Sequence, residues 1–591
     1  MTRHTMIAMA LLSISVLGQE VQAENSVLMR ALEDELQRSL LELQLEELER
    51  PYFIAYRVHE HKRQGASATF GSLLSSNQNH NRTLSVEVRV GDHPLDNTNF
   101  QSFSFGRSGM LWMFGGSVPL PLEDDYGELR RQIWLATDGV YKKALEDLAK
   151  KRALLQNRTR TEIIDDFTRE DPAQTEDWQN EIEMDQVWAE GLVKKLSALS
   201  RQAPAVFTSS VTIQAVNTIS YYVNSEGTSF RRVSPSLTLK ALAATQAPDG
   251  MPVEDFVAVY GRSTSDLPSE AELMDRVGEM GTRLQTISAA PLVERFTGPV
   301  LFEGQAAAEL FVQGFAPRLI GDRKMLSDNP YFDQSSPKEN PFLDKVGIRV
   351  LPEFLSVTDD PTLSQWKKNT LTGHYKVDDD GIPSRRVSLV EKGVLNTLLT
   401  TRNPVRGIDR SSGHRRGSGA MPGNLVVKVE KGLKEKKLRK EFLKLVKRQK
   451  KEFGLIVRRM GSPSARSGNP YQQSFSAPGA DQTVGQPALL AYKVYLDGRE
   501  ELVRNAEFVG IQASTFKDII AVSKEVFSYN THYSARTSAP FGNRGFTTGM
   551  IGMVVPAGIL FEDITVKPPS GEILKPPVSR HPFFAESGSA Q

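Results

Sequence analysis

The apolar positions follow helical and strand periods in turn along the first half of the chain. Leu28, Leu32, Leu36 and Leu40 recur every four residues with acids between them, so Ser26 to Arg50 reads as a helix that Pro51 stops. A strand is expected from Tyr52 to Val58. From Arg82 to Val90 the chain alternates, with Leu84, Val86, Val88 and Val90 on one face and Ser85, Glu87 and Arg89 on the other, the pattern of a half-buried antiparallel strand. Leu129, Ile133, Val140, Ala144 and Leu148 form one stripe of a long helix over Tyr126 to Asn157. Arg158 to Trp188 is polar and acidic, either a helical excursion or a flexible segment. Phe207 to Arg262 is again β-rich, and Asn224-Ser-Glu-Gly227 within it reads as a hairpin turn. Ser269-Glu-Ala-Glu272 is a capping-box pattern. It opens a helix carrying Leu273, Val277, Met280 and Leu284, which ends before Pro291, and the domain boundary is placed there.

The second half opens on Gly298-Pro-Val-Leu-Phe-Glu-Gly-Gln-Ala-Ala-Ala-Glu-Leu-Phe311. Pro299 to Phe302 is a short apolar strand running into a compact helix. Ala306, Ala307 and Ala308 let another backbone or a ligand approach closely. Glu303 sits at the junction. Metallopeptidases place two His and a Glu on such a helix, the His to bind zinc and the Glu to activate water. Here only the Glu is present, so by itself the stretch reads as a buried helix packed by small residues.

Gly321 to Phe342 is a loop long enough to be a lid or a partner contact. Ile348 to Val357, His374 to Val377 and Arg386 to Val390 read as strands. Asp378-Asp-Asp-Gly381 turns between the last two, as a solvated turn or, less in keeping with its flanks, a hard-cation site. Arg410 to Asn424 is glycine-rich and cationic, either a surface loop or one that brings NH and guanidinium groups to an anionic or peptide ligand. Lys428 to Lys451 is a basic amphipathic helix with Leu433, Leu438, Phe442 and Leu445 on its apolar face. It reads as a solvated helix covering a sheet, with an anionic membrane or nucleic acid as the alternative partner. Ala488 to Leu496, Glu500 to Val509 and Val554 to Val566 are expected strands, and Thr515 to Val522 a short helix.

With 591 residues, the chain is too long for one core. The expected fold is α+β, with two domains that are each an antiparallel β-sheet with packed helices, over 24–291 and 292–591. The charges nearly cancel, 72 basic against 71 acidic residues for a net +1, which argues against a dedicated nucleic-acid binder. There are 0 cysteines, hence no disulfide, thiol nucleophile or thiolate metal site. Met1 to Ala23 has the short apolar core and Val21-Gln22-Ala23 ending of a secretory signal, so the mature chain is expected to be periplasmic or secreted, with no membrane span. His59, His61, His80 and His93 fit no ligand spacing and read as surface histidines.

Tyr375-Lys-Val-Asp-Asp-Asp-Gly-Ile-Pro-Ser-Arg-Arg386, Val387 to Leu395, Gly413-His-Arg-Arg416, Met421-Pro-Gly-Asn424 and Ala506-Glu-Phe-Val-Gly-Ile511 together resemble the TldD/PmbA family of metallopeptidases, also called modulators of DNA gyrase. Asn224-Ser-Glu-Gly227 supports the match in the first half. Catalytic members carry His-Glu-x-x-x-His where this chain has Phe302-Glu-Gly-Gln-Ala-Ala307, and a third ligand, a cysteine near the C-terminus, has no counterpart. Neither Phe nor Ala can donate an electron pair to zinc. The resemblance therefore leans to the PmbA (TldE) side, which lacks the zinc motif. It implies unfolded or extended peptides as ligands and a homo- or heterodimer with a TldD-like homologue. No cofactor is expected, and Glu303 is vestigial or conditional. His374, Tyr375, Arg385, His414 and Arg415 are the candidates for a peptide groove. The alternative is a divergent zinc enzyme with relocated ligands, Glu303, His374 and His414. A third reading makes the basic helix an adaptor at an anionic surface.

Overall fold

The computed structural model describes residues 26–102, 117–157, 163–177, 179–329, 340–463, 487–536 and 546–569, with 577, 579, 581 and 583. The signal-peptide reading of Met1 to Ala23, much of the 321–342 loop and the start of the 158–188 segment lie outside them.

The first half is built on a seven-stranded sheet. Its main path runs Ser117–Leu120, Ser72–Val90, Pro51–Thr69, Thr208–Asn224, Ser229–Gln246, Gln174–Asp177, and Pro252–Gly261 also pairs with Ser229–Gln246. The strands are far longer than the alternation suggested: Pro51–Thr69 and Ser72–Val90 form one antiparallel hairpin. Only their proximal ends alternate apolar and polar; Ser72 to His80 is uniformly polar or exposed, so periodicity could not trace it. Asn224–Gly227 is the expected hairpin turn, with Gly227 at φ 93° and the Asn224 side chain accepting from the Glu226 and Thr228 N–H groups at 3.0 Å each.

One face of this sheet is covered by four helices. Val27–Glu42 and Tyr126–Gln156 bury Leu28, Leu32, Leu129 and Ile133 against Ile54, Tyr56, Leu84 and Val88. Gln186–Ala198 and Glu270–Ala289 bury Leu192, Leu196, Leu273 and Leu284 against Val211, Ile213 and Leu239 further along. Ser269 caps the last of these helices, its hydroxyl accepting from Glu272 N–H. The helix over Gln186–Ala198 was not anticipated; its start is hidden in the acidic segment, where Asp185 caps it.

The second half holds two more sheets. The six-stranded one runs Val394–Leu395, Val387–Glu391, Leu355–Asp359, Asn424–Val429, Phe546–Pro556, Val526–Arg536. The seven-stranded one runs Glu500–Val503, Ala488–Tyr495, Phe453–Met460, Phe296–Glu303, Gly558–Lys567, Glu507–Val509, with Ile519–Val522 also on Gly558–Lys567. Both are mainly antiparallel, each with one parallel pairing. Along Phe296–Glu303 the side chains alternate between two cores. Val300 and Phe302 join the large core shared with the six-stranded sheet, while Leu301 faces Leu438, Phe442, Leu445 and Val446 of the basic helix Glu435–Arg448. That helix covers the outer face of the sheet, as its apolar stripe predicts. The α+β architecture agrees with the sequence reading. His374–Val377 is irregular instead of a strand, and Thr515–Val522 divides into a 3-10 turn, Ala513–Asp518, and a strand, Ile519–Val522.

Candidate functional site

Two places carry the residues singled out above. The first is the strand-to-helix junction. Phe302 is fully buried, with its ring 5.4 Å from Phe508 and 5.7 Å edge-on to Phe561. Ala307 is also at 0% exposure, inside the helix Gln305–Leu310. Gly304 starts the helix at φ 57°, a conformation that strains any other residue, and donates to Ala557 O at 2.8 Å. Gln305 locks the helix to the neighbouring strand end, donating to Met460 O at 3.0 Å and accepting from Met460 N at 2.9 Å. The alanines pack in the large apolar core. Glu303 turns away from that core: its carboxylate accepts from Arg458 Nε at 3.1 Å, and Arg458 forks onto Glu500 at 3.0 Å through both terminal nitrogens.

Glu309, one turn on, was not singled out from the sequence. It is wholly buried and accepts from Tyr529 Oη at 2.7 Å and Gln313 Nε2 at 2.8 Å. Burial raises its pKa, with the hydrogen bonds from Gln313, Tyr529 and Ser462 opposing the rise. The helix then widens into a π-turn over Phe311–Phe315, a form that tends to mark functional sites. A lone carboxylate in the run Ala306-Ala-Ala-Glu-Leu-Phe311 was the available signal.

The second place is the contact between the halves. Part of the helix-free face of the first sheet is covered by the second half. Arg57 Nη2 donates to Asp379 O at 2.8 Å, Arg232 Nη1 to Val377 O at 2.6 Å, and Arg232 Nη2 pairs with the Asp379 carboxylate. Arg415 pairs with Asp380 at 2.8 Å. Asp378 accepts from the Asp380, Ile382 and Arg415 N–H groups at 2.9 Å each. Asp378, Asp379 and Asp380 are all buried, so the solvated-turn expectation is corrected: Asp379 and Asp380 meet arginines from both halves, and Asp378 is held by backbone N–H groups. Gly381 is required there twice over. Its φ is +80°, and an added Cβ would lie 2.3 Å from Thr228 Cγ2.

Electrostatics follow from this burial. Desolvation opposes ionisation of Asp379, but Arg232, His59 and Arg57 outweigh it and hold its carboxyl well below the usual range. Desolvation likewise works against Glu87, yet Arg89, Arg415 and Arg57 bring it down to about 2. Asp378 moves the other way, raised by burial and by the neighbouring Asp380. His59 lies at this interface, its pKa lowered to about 4 by burial. It and the half-buried His61 and His93 depart from the surface reading; His80 alone of the four is well exposed.

The five groove candidates separate. His414 is fully buried, with Nε2 2.8 Å from Asp359 Oδ2 and Nδ1 2.8 Å from Ser412 O. Tyr375 is buried, its hydroxyl donating to Gly413 O at 3.0 Å. Both are internal braces of the Gly413–Asn424 loop instead of groove walls. His374 is half-buried on Pro361 O, Arg385 is exposed with one nitrogen on Ser411 O, and Arg415 is half-buried in the interface. Glu303, His374 and His414 each have a different partner, and among the described residues no cluster of three His, Cys, Asp or Glu side chains could hold a metal. Phe302 and Ala307, the positions that the resemblance would assign to zinc ligands, present a phenyl ring and a methyl group, which do not fit zinc.

Residues 296–567 match the family described as PmbA/TldA metallopeptidase C-terminal domain. This stretch is thus a domain of the TldD/PmbA type. A curated relative, Metalloprotease MJ0996 of Methanocaldococcus jannaschii, is 34% identical over 79 residues, 13% of this chain and 16% of that protein. The fold of TldE from Thermococcus kodakarensis superposes with a TM-score of 0.53 at 15% identity, covering 91% of this chain and 99% of that one. The "putative modulator of DNA gyrase" from Bacteroides thetaiotaomicron gives 0.53 at 12% identity, covering 92% and 98%. These two likenesses establish the fold of a TldD/PmbA chain across both halves.

Proposed function

We propose that this TldD/PmbA chain is a zinc-independent, peptide-binding member that supports proteolysis by an intact-motif homologue, acting outside the cytoplasm after removal of residues 1–23. The observation that carries this reading is the apolar filling of the zinc position: Phe302 and Ala307 are part of the core, and Glu303 is held by Arg458. A general base must reach the proton it removes, and a zinc water needs donors beside it. Neither condition is met by these side chains. Peptide binding needs no metal. An extended segment can pair with an exposed sheet edge through backbone hydrogen bonds. The strand Val526–Arg536 ends the six-stranded sheet and carries Tyr529, which joins Glu309.

The test compares the purified chain alone and mixed with a homologue carrying His-Glu-x-x-x-His, on an unfolded peptide, with and without chelator. The chain alone is expected to bind without cleaving and to contain no stoichiometric zinc by elemental analysis. Glu303→Gln is expected to leave peptide affinity unchanged and to cost at most about 1 kcal/mol of stability, the range for a solvent-screened ion pair. Chelator-sensitive cleavage by the isolated chain, lost in Glu303→Gln, overturns the proposal.

A further inference from the structure

The basic helix has a solvent face that the fold does not use. Residues 428–451 hold twelve cations, ten Lys and two Arg, against three Glu, a net +9; with the whole chain at +1, the remaining residues sum to −8. The apolar side of Glu435–Arg448 is consumed by the sheet beneath it, where Leu438, Phe442 and Val446 are buried. Both arginines are committed within the chain, Arg439 to Glu500 and Arg448 to Glu562. Lys444 pairs with Glu441. Lys434, Lys436, Lys437, Lys440 and Lys447 are exposed and have no ion-pair partner among the described residues, and Lys431, Lys450 and Lys451 extend the same charge at the flanking turns. Over a helix about 21 Å long, at about 1.5 Å per residue, this is a row of uncommitted ammonium groups on a rigid backing.

We propose that this face docks the protein on an anionic lipid surface. The chemistry on the page favours lipid headgroups over nucleic acid. Nucleic-acid recognition uses arginine forks, base-reading amides and stacking aromatics. Here the uncommitted charge is all lysine, Phe442 is buried, and Gln449 is held by the Glu562 carbonyl and the Asp563 carboxylate. Lysine clusters on an amphipathic helix are what a charged bilayer attracts, each worth roughly 1 kcal/mol near the surface. With its apolar side buried, the helix has no face to insert, so the association is electrostatic and salt-sensitive. The negative remainder of the chain would point the lysine face toward the lipid.

The experiment is vesicle co-sedimentation of the full chain on phosphatidylcholine with and without phosphatidylglycerol, at low and physiological ionic strength. The wild type is expected to bind only the anionic vesicles and to be released by salt. Lys436→Gln/Lys440→Gln/Lys447→Gln should bind roughly a hundredfold more weakly. The matching Lys→Arg triple variant should retain binding. Lys367→Gln/Lys368→Gln/Lys392→Gln, exposed lysines elsewhere, should behave as wild type. Equal binding to neutral vesicles, no loss in the glutamine variant, or equal loss in the control triple overturns the proposal. So does tighter, lysine-dependent binding to duplex DNA at the same ionic strength. All six positions are exposed, and an unchanged melting temperature separates lost docking from lost fold.

Discussion

The strand-to-helix junction at 302–307 and the acidic turn at 378–380 both hold buried side chains, and they are filled in opposite ways. At the junction the filling is hydrocarbon: Phe302 packs on Phe508 and Phe561. At the turn, two carboxylates, Asp379 and Asp380, sit in a buried setting where Arg57, Arg232 and Arg415 meet them. Chemistry can be removed from a fold by replacing a few donors, since apolar packing tolerates the exchange. A buried charge network cannot be dismantled one residue at a time, because each partner left behind is an uncompensated charge.

The largest test of this contrast is Arg232→Ala. It strands Asp379 in the interface and is expected to cost about 3–5 kcal/mol, read as a shift of the urea midpoint. A loss below about 1 kcal/mol, the exposed-pair range, would mean that the turn is wetter than the structure shows.

Acid is the next probe. Glu87 has a folded pKa of about 2 against 4.5 for the ordinary group, and Asp379 is depressed too. A lowered pKa contributes stability that is full above the unfolded value and is lost as pH falls through the folded one. For Glu87 that is on the order of 3 kcal/mol, lost between about pH 4.5 and 2. Unfolding free energy measured at descending pH should fall over that window, and the fall should shrink in Glu87→Gln.

The smallest expected effect is a response to zinc, which sharpens the other side. Phe302→His with Ala307→His supplies the two imidazoles that the resemblance would place there, but no cysteine. Each imidazole enters an apolar core without a partner, at about 1–3 kcal/mol per unsatisfied group. Zinc is expected to leave the melting temperature of this variant unchanged. A zinc-dependent rise would show that the junction still accommodates metal.

The two regions also differ in how legible they were. Phe302 and Ala307 could be read directly, since a residue type that cannot ligate needs no coordinates to be disqualified. The acidic turn could not. Its partners Arg57 and Arg232 lie more than a hundred residues away, and consecutive Asp residues before a Gly are ordinarily a solvated turn. The alternation at 82–90 identified a strand and its two faces, but not that the polar face meets another domain. Glu309 was obscured by its alanine neighbours, and His414 by a glycine-rich context that resembles a surface loop while burying a hydrogen bond to Asp359. Periodicity reports burial of apolar atoms; it is silent on polar atoms that are buried in pairs.

The interface at Asp378–Asp380 also sets how the molecule can move. A buried charge without its partner is costly, so a rotation that parted Arg232 from Asp379 would leave both charges uncompensated in the seam. The halves are therefore welded instead of hinged, and jaw-like opening is the costly motion. Whatever the chain meets, the two halves meet it as a single anvil.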